Sequence, residues 1–238
     1  MPALVTFSEP RLRLCVLGGT GFVGTELISQ LAAAGHFVRV PTRALSHGTH
    51  LSVLPTVELV VANVHEPRVL GELLTGMDAV FNLVGILNET RAQRFEQTHV
   101  ELVAKLVEAA RLARVRRLLH MSALGADEHG PSRYLMTKGR AETLLRDAGQ
   151  SIDVTIFRPS VIFGPGDSLT NRFAGLLRLG AGFLPLARPR ARFAPIFVDD
   201  VVRAFLYSLR ERGTAGQAGP NAGQHGAYAG RGGHAGHL

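Results

Sequence analysis

The sequence predicts a doubly wound α/β protein with a Rossmann-like parallel sheet. Three observations predict it: short apolar runs alternate with segments of helical period, the first run ends in a glycine-rich turn, and six such runs occur before residue 160. Continuous apolar runs are typical of strands that are covered on both faces. Strands that alternate with helices are joined by right-handed crossovers, which give a parallel sheet.

The predicted elements follow one another in strand–helix order. RLCVLGG predicts the first strand, and FVGTELISQLAAAG predicts the first helix, which ends at Gly35 as a C-cap glycine. FVRVP, VELVVANV and DAVFNLVGIL predict strands two to four, with helices in the gaps. A long helix is expected from Glu89 to Ala113, followed by a strand at RRLLHMSA, an amphipathic helix at SRYLMTKGRAETLLRDAG and a sixth strand at IDVTIFRPS.

The pattern changes beyond residue 160, so we expect the Rossmann-like domain to span residues 1–160. Residues 161–212 predict a small substrate region with a short helix near Asn171–Leu179. PIFVDDVVRAFLYSLRER adds one strand and one helix, with Asp199 or Asp200 as the N-cap. Residues 213–238 are mostly Gly, Ala, His and Gln, so a disordered tail is expected there.

Composition excludes several classes of protein. Apolar residues make up 46% and charged residues 19%, which is too apolar for a mainly disordered chain. No apolar run approaches the roughly 20 residues that a membrane helix needs, and MPALVTFSEP lacks the pattern of a signal peptide. The single cysteine, Cys15, agrees with a reducing compartment. We therefore expect a cytoplasmic protein, and we predict no metal site.

The net charge of +7 raises the question of a nucleic-acid partner. The tightest arginine groups lie within residues 114–117 and 188–192, and both are short and lack interleaved aromatic residues. No nucleic-acid binding is therefore expected. Contact with an acidic protein or with anionic lipid headgroups stays open, because these two groups would add Coulomb attraction at a surface.

The turn after the first strand has the glycine spacing of a dinucleotide site, Gly18-Gly19-Thr20-Gly21-Phe22-Val23-Gly24. One glycine permits a positive φ, one lets a pyrophosphate approach the backbone, and one lets helix and strand pack closely. The helix N-terminus adds free N–H groups and a positive dipole end. Because the turn follows a predicted strand and opens a predicted helix, it predicts dinucleotide binding.

The end of the second strand indicates which dinucleotide is bound. A carboxylate there would accept a hydrogen bond from the ribose 2′-hydroxyl of NAD, but the chain has Pro41-Thr42-Arg43. A guanidinium favours the 2′-phosphate of NADP(H), and NAD(H) remains the alternative. Asn63 and Val64 follow the third strand, where the adenine would bind. Leu83-Val84-Gly85 end the fourth strand with small residues, which leaves room for the ribose. Ordinary strand-end chemistry explains these last positions equally well.

Tyr134 and Lys138 lie four residues apart on one face of the predicted amphipathic helix. The chain has only one other lysine, Lys105, so this spacing is informative. Deprotonating a free tyrosine at pH 7 costs about 4 kcal/mol, and a cation about 4 Å away offers a comparable Coulomb energy. Lys138 would therefore make Tyr134 a usable acid or base. Ser122, after the fifth strand, would hold a substrate carbonyl, or it simply caps local backbone.

GGTGFVG, NLVG, HMSALG, YLMTK, FRPSVIFGPGD and PIFVDDV together resemble extended or atypical short-chain dehydrogenase/reductases of the NAD-dependent epimerase/dehydratase type. The resemblance covers about residues 11–210. Within that superfamily the chain is most similar to the family of the NAD(P)H-binding accessory subunit of respiratory complex I and its bacterial relatives. In that family a similar fold holds a nicotinamide cofactor.

The resemblance implies where the cofactor lies. Thr20–Val23 would hold the pyrophosphate, Lys138 would also reach the nicotinamide ribose, and Pro159–Val161 would border the ring. Phe163–Asp167 would shape a substrate pocket. The residues expected to bind the cofactor, from the motifs and the resemblance together, are Gly18, Thr20, Gly21, Phe22, Val23, Gly24, Arg43, Asn63, Val64, Leu83, Val84, Gly85, Lys138, Pro159 and Val161.

The chain departs from the family pattern at three places. His99 stands where many relatives carry an asparagine with a proton-relay role, and Asn63 replaces an acidic residue near the adenine. Relatives continue past the VDDV helix with further elements, whereas low complexity begins here at Gly213. We therefore expect a truncated substrate region.

Three functions follow from these observations. The first is an oxidoreductase, or an epimerase-type isomerase, that uses Ser122, Tyr134 and Lys138 on a small carbonyl or hydroxyl compound. A quinone-related or lipid-like compound is expected because Phe173–Leu186 is rich in Leu and Phe. The second is a cofactor-holding accessory or assembly subunit of complex I, bound to membrane subunits and peripheral at the inner membrane. The third is an NADPH-dependent sensor. The substrate itself cannot be read from fold-level features.

Overall fold

A six-stranded parallel sheet forms the centre of the structure, a computed structural model that describes residues 10–149, 151–167 and 194–210. Its strands are β1 (Arg13–Leu17), β2 (Phe37–Thr42), β3 (Val57–Val61), β4 (Ala79–Asn82), β5 (Arg117–Met121) and β6 (Asp153–Phe157). They lie in the order β3-β2-β1-β4-β5-β6, and every neighbouring pair is parallel. The doubly wound prediction is confirmed. The order reverses between β1 and β4, where ligands of such sheets bind.

Helices cover both faces of this sheet because its strands are apolar on both sides. They are α1 (Phe22–Ala33), α2 (Pro67–Leu74), α3 (Leu102–Leu112), α4 (Arg133–Ala148) and α5 (Val198–Arg210). A separate two-stranded parallel sheet pairs β7 (Ile162–Phe163) with β8 (Ile196–Phe197). The predicted C-cap glycine, Gly35, follows α1 with φ +81°, as a left-handed helix end requires.

Two apolar cores hold the layers together, one on each face. On one face, side chains of α1 and α5 pack on the sheet, and Phe205 of α5 lies edge-on to Phe81 with ring centroids 5.8 Å apart. On the other face, α2, α3 and α4 pack on the sheet through residues such as Leu106 and Leu145, both fully buried. The helix of PIFVDDV therefore shares the core of the main sheet.

Two predicted helix starts are wrong. The helix expected from Glu89 begins instead with a π-helical turn, Glu96–Glu101, that runs into α3. Glu89 stays outside because its carboxylate accepts from the Phe95 N–H at 3.0 Å and pairs with Arg133 at 2.7 Å.

Neither Asp199 nor Asp200 caps α5, because this helix begins at Val198 and both carboxylates lie in its first turn. Asp199 accepts from the side chain of Gln30 at 2.7 Å and pairs with Arg203, also at 2.7 Å. The Gln30 contact ties α5 to α1, and the Arg203 pair lies within α5. A carboxylate in a first helical turn is also favourable to the helix dipole.

The predicted arginine group at 114–117 is not one free basic face. Arg116 pairs with Asp78 at 2.8 Å, and the buried Arg117 pairs with Asp153 at 2.5 Å. The arginines at 188–192, the short helix at Asn171–Leu179 and the tail at 213–238 lie outside the described residues. Among the helices that are described, none is both long enough and apolar enough to span a membrane.

Candidate functional site

The glycine turn between β1 and α1 is built of close backbone contacts. Gly18 has φ +76°, and a Cβ there would lie 2.9 Å from the carbonyl carbon of Leu83. A Cβ on Gly24 would lie 2.5 Å from the Gly18 carbonyl oxygen and 2.6 Å from the Gly19 Cα. Gly21 precedes α1 with no side-chain cap, so the first turn of the helix is left to bind an anion through its N–H groups.

A groove of about 300 Å³ crosses the carboxyl ends of β1, β2, β3 and β4, and we call it the strand-end groove. It brings together nine of the residues predicted to bind the cofactor: Gly18, Thr20, Gly21, Arg43, Asn63, Val64, Leu83, Val84 and Gly85. Val23 and Gly24 do not line it. The Val23 side chain is buried in the core and Gly24 packs on Gly19, so both act by placing α1.

The outer end of the groove carries cationic and neutral polar groups. Arg43, His47 and His65 line it, and no carboxylate does among the lining residues that the structure describes. Burial, with smaller contributions from Lys105 and Arg43, lowers the pKa of His65. Asn63 is engaged in its own turn: its amide donates to Glu66 at 3.0 Å and its oxygen accepts from the His65 N–H at 3.1 Å.

Beside the groove lies a larger cavity of about 830 Å³, which we call the apolar cavity. Its described walls include Phe22, Leu87, Leu124, Pro159, Val161 and Ile162. Four polar residues line it among those described: Ser122, Tyr134, Ser160 and Asp167. The last two are engaged locally, since Ser160 Oγ donates to the Ala194 carbonyl and Asp167 accepts from the Gly164 N–H at 3.1 Å. Ser122 is buried and its Oγ meets no hydrogen-bond partner among the described residues, so it does not cap backbone there. An unpaired buried hydroxyl is costly unless a ligand completes it.

Lys138 lies on α4 one turn after Tyr134, and Ser132 caps this helix by accepting from the Leu135 N–H at 3.3 Å. The lysine is buried, and its Nζ donates to the Met121 carbonyl at 3.0 Å. Burial lowers the pKa of Lys138 to about 8, although the Glu142 carboxylate opposes this. The ammonium is therefore a stronger acid here than on an exposed lysine, and it is still mostly protonated at pH 7.

The geometry does not support the prediction that Lys138 lowers the pKa of Tyr134. Burial raises the pKa of Tyr134, and Lys138 donates to backbone rather than to the phenol. The reason is desolvation, which the Coulomb argument from the sequence did not include. Tyr134 is therefore a protonated phenol at neutral pH.

Sequence reasoning missed the partners beneath this site. His99, noted only as a departure from the family, is buried against Thr137, and His120 is buried against Asn82 with 3.1 Å between Nδ1 and Nδ2. Burial, together with the charge of Lys138, lowers the pKa of both histidines, that of His99 to about 3. A polar Thr-His pair within the apolar pattern of EQTHVELV was the available signal.

Comparison with known proteins identifies the fold of this site. Residues 18–172 match the family described as NAD(P)H-binding. The chain belongs to this NAD(P)H-binding family. A nicotinamide cofactor is therefore confirmed, and the glycine cradle and the polar lining of the groove, which has no carboxylate among its described residues, fit such a dinucleotide.

Curated relatives include mitochondrial complex I subunits and a reductase. The chain is 32% identical over 206 residues to NADH dehydrogenase [ubiquinone] 1 alpha subcomplex subunit 9 of Arabidopsis thaliana, covering 84% of this chain and 50% of that protein. It is 32% identical over 205 residues to the ceramide reductase of Caulobacter vibrioides, covering 85% of this chain and 62% of that protein. The chain thus spans about half to three fifths of these relatives.

Solved structures of the epimerase and dehydratase type share the fold. UDP-glucuronic acid 4-epimerase from Bacillus cereus in complex with NAD superposes with a TM-score of 0.74 at 19% identity, over 88% of this chain and 78% of that one. The dTDP-glucose 4,6-dehydratase DesIV from Streptomyces venezuelae gives 0.75 at 25% identity, over 89% and 76%. The predicted resemblance to the short-chain dehydrogenase/reductases is confirmed.

Proposed function

We propose that the chain is an NADP(H)-preferring reductase of an apolar, quinone-like or lipid-like carbonyl compound. One observation carries the proposal: the Ser122 hydroxyl, which has no hydrogen-bond partner within the described part of the chain, and the Tyr134 phenol both line the apolar cavity beside the strand-end groove. An apolar pocket with a few convergent polar groups is the usual form of a small-molecule site.

Ser122, Tyr134 and Lys138 have different roles in the proposed reaction. Ser122 Oγ donates a hydrogen bond to the substrate carbonyl oxygen and holds it beside the phenol. Tyr134 gives its proton to that oxygen as the general acid, a role that suits a phenol whose pKa burial raises. When bound, the nicotinamide supplies the hydride. Lys138 Nζ donates to the Met121 carbonyl and not to the phenol, so its ammonium acts on the remaining phenolate only through its charge, as long as it keeps its own proton.

The preference for NADP(H) rests on the outer end of the groove. Arg43 is exposed there, where its guanidinium is free to form paired hydrogen bonds to a ribose 2′-phosphate. The absence of a carboxylate among the described lining residues removes the group that selects NAD. Titration of the Arg43→Ala chain with both coenzymes tests this preference.

The test of the reaction uses the full chain with NADPH and two probes, a long-chain methyl ketone and a decyl-substituted quinone. We expect Tyr134→Phe to lower turnover by about 10²- to 10⁴-fold and to leave the Kd of NADPH unchanged. Ser122→Ala should lower turnover less and should raise KM. Unchanged turnover in Tyr134→Phe would contradict the assignment. The two probes distinguish a quinone from a lipid carbonyl.

A second function is supported by the similarity to complex I subunits of Arabidopsis thaliana and Neurospora crassa. In this reading the chain holds the cofactor as an accessory subunit, attached to respiratory membrane subunits at the inner membrane. Its test is copurification from membranes. Copurification combined with normal assembly of the Tyr134→Phe chain, and with no turnover of any probe by the wild type, would favour this function over the reductase.

A further inference from the structure

His99 lies on the π-helical turn Glu96–Glu101, behind Ile86 of the strand-end groove and Tyr134 of the apolar cavity, both of which it contacts. Thr98, its neighbour on the turn, lines the groove, while His99 itself is only 1% exposed. π-helical turns are rare and occur frequently at functional sites.

Both ring nitrogens of His99 have partners on different elements. Nε2 accepts from the backbone N–H of Ile86 at 3.2 Å, and Nδ1 lies 3.0 Å from Thr137 Oγ1. Because a backbone N–H can only donate, Nε2 carries no proton and Nδ1–H donates to Thr137. The threonine hydroxyl then donates to the carbonyl of Arg133 at 2.9 Å or of Tyr134 at 3.0 Å. The neutral tautomer with hydrogen on Nδ1 is fixed by these contacts.

The ring also packs against the aromatic group that we assign to proton transfer. The rings of His99 and Tyr134 meet edge-on, with centroids 5.5 Å apart and planes at 83°. On its other side the histidine stacks on Phe95, with centroids 5.4 Å apart. The orientation of the phenol is therefore set by the histidine and by Phe95, which also meets Tyr134 edge-on at 5.8 Å.

The groups around His99 keep it uncharged. Burial, and to a smaller extent the Lys138 charge, lowers its pKa to about 3, while the backbone contact with Ile86 opposes this shift. The neighbouring His120 is also held neutral by burial. A cation at this position would face the Lys138 ammonium in a poorly hydrated interior. His99 therefore neither gives nor takes a proton near neutral pH.

We propose that His99 is a positioning residue whose two hydrogen bonds hold the chain segment 85–87 at a fixed place relative to α4. Gly85 and Ile86 line the strand-end groove, and Leu87 lines the apolar cavity. Helix α4 carries Tyr134 and Lys138. One neutral side chain thus fixes the position of the groove wall, on the cofactor side, relative to the helix that carries the proton donor. The inference deepens the proposed function, and only its predicted effects on kcat rest on that function.

Three substitutions separate the two hydrogen bonds. His99→Gln places an amide near the Nε2 position and keeps the Ile86 contact, whereas His99→Asn reaches the Nδ1 position and keeps the Thr137 contact. His99→Phe keeps the ring stacking and loses both. The exposed His129, whose side chain is 94% exposed, supplies matched controls as His129→Gln and His129→Asn.

The expected pattern differs between variants. His99→Asn should weaken NADPH binding by about 5-fold, because losing one buried hydrogen bond releases the groove wall. His99→Gln should bind NADPH normally and lower kcat by about 10-fold, and Thr137→Val should match it without further loss in the double variant. His99→Phe should combine both defects, with kcat down about 100-fold. The His129 controls should match the wild type.

Nitrogen NMR of histidine-labelled full chain tests the geometry without any substrate. The signal missing in His99→Gln belongs to His99, and it should show a neutral ring protonated on Nδ1 from pH 5 to 8. A charged ring, the opposite tautomer, or NADPH affinities alike in all three variants would overturn the proposal. If the affinities and the tautomer follow the prediction and no probe is turned over, the positioning role stands and the reductase assignment fails.

Discussion

The two ends of the nucleotide site are built in different ways. At the glycine turn the chain offers backbone: Gly18 and Gly24 hold contacts that no side chain would allow. At α4 it offers buried side chains, and their partners come from distant segments, with His99 and Thr137 separated by 38 residues. The glycine turn depends on residues that have no Cβ atom, whereas the α4 end depends on hydrogen bonds between buried polar side chains. Substitutions at the two ends should therefore have different effects on stability and on coenzyme binding.

The largest effect is expected at the glycine turn. Gly24→Ala would place a Cβ 2.5 Å from the Gly18 carbonyl oxygen, in rigid backbone, and should lower stability by about 3 kcal/mol and abolish NADPH binding. Gly71→Ala is the control, because a Cβ on this residue of α2 meets nothing within 4 Å. It should stabilise the chain by roughly 0.5–1 kcal/mol. Urea unfolding with and without NADPH measures both, and a normal Gly24→Ala chain would contradict the packing argument.

At the other end, removing the buried ammonium should stabilise the fold. The folded chain lowers the Lys138 pKa to about 8, whereas an exposed lysine stands at 10.5, so the unfolded chain binds more protons between these values. The resulting penalty is fully present below pH 8 and disappears as the pH rises toward 10.5. Lys138→Met should therefore raise the free energy of unfolding at pH 7 by about 2 kcal/mol and remove turnover. Lys105→Met is the matched control, and a destabilised Lys138→Met chain would contradict the burial penalty.

Lowering the pH should lower the free energy of unfolding through the buried, neutral His99. Its folded pKa of about 3 lies below the unfolded value near 6.5, so between these values only the unfolded chain binds the proton. Stability should consequently fall as the pH drops below 6.5, by about 1.4 kcal/mol per pH unit from this group. Urea midpoints at pH 7, 6 and 5 should show a shallower slope for His99→Gln than for the wild type. Equal slopes would mean that His99 is not held neutral.

The smallest effect is expected at the outer end of the groove. Arg43→Ala should weaken NADPH binding by about 10-fold and leave NADH binding within about 2-fold, because only the 2′-phosphate pairs with the guanidinium. Reduced-coenzyme fluorescence measures both affinities, and Arg91→Ala serves as an exposed-arginine control. Equal losses for the two coenzymes would remove the phosphate role.

The fold and the glycine turn could be predicted because their signals are local. A strand buried on both faces is apolar throughout, and a turn that excludes Cβ atoms must be glycine, as at Gly18 and Gly24. The residues named for the groove likewise follow from the strand ends that topology brings to one edge.

The errors arose where long-range contacts override local pattern. Nothing near Glu89 shows that its carboxylate pairs with Arg133 and ends the helical pattern early. Burial reversed the expected direction for the pKa of Tyr134, because spacing along α4 fixes the neighbours of a phenol and not its solvent exposure. The same holds for His99, whose partner Ile86 is visible only in three dimensions.

Transfer of deuterium from NADPH labelled at its hydride position tests the central claim most directly. The full chain is incubated with labelled NADPH and a long-chain methyl ketone or decyl-substituted quinone, and the product mass is compared between wild type and Tyr134→Phe. We predict that the wild type converts one of these probes to a reduced product, with one deuterium on the carbinol carbon if the ketone is the substrate, at a rate at least about 100-fold above the variant. Tight NADPH binding without any reduced product would contradict the reductase and leave a protein that holds its coenzyme without reacting.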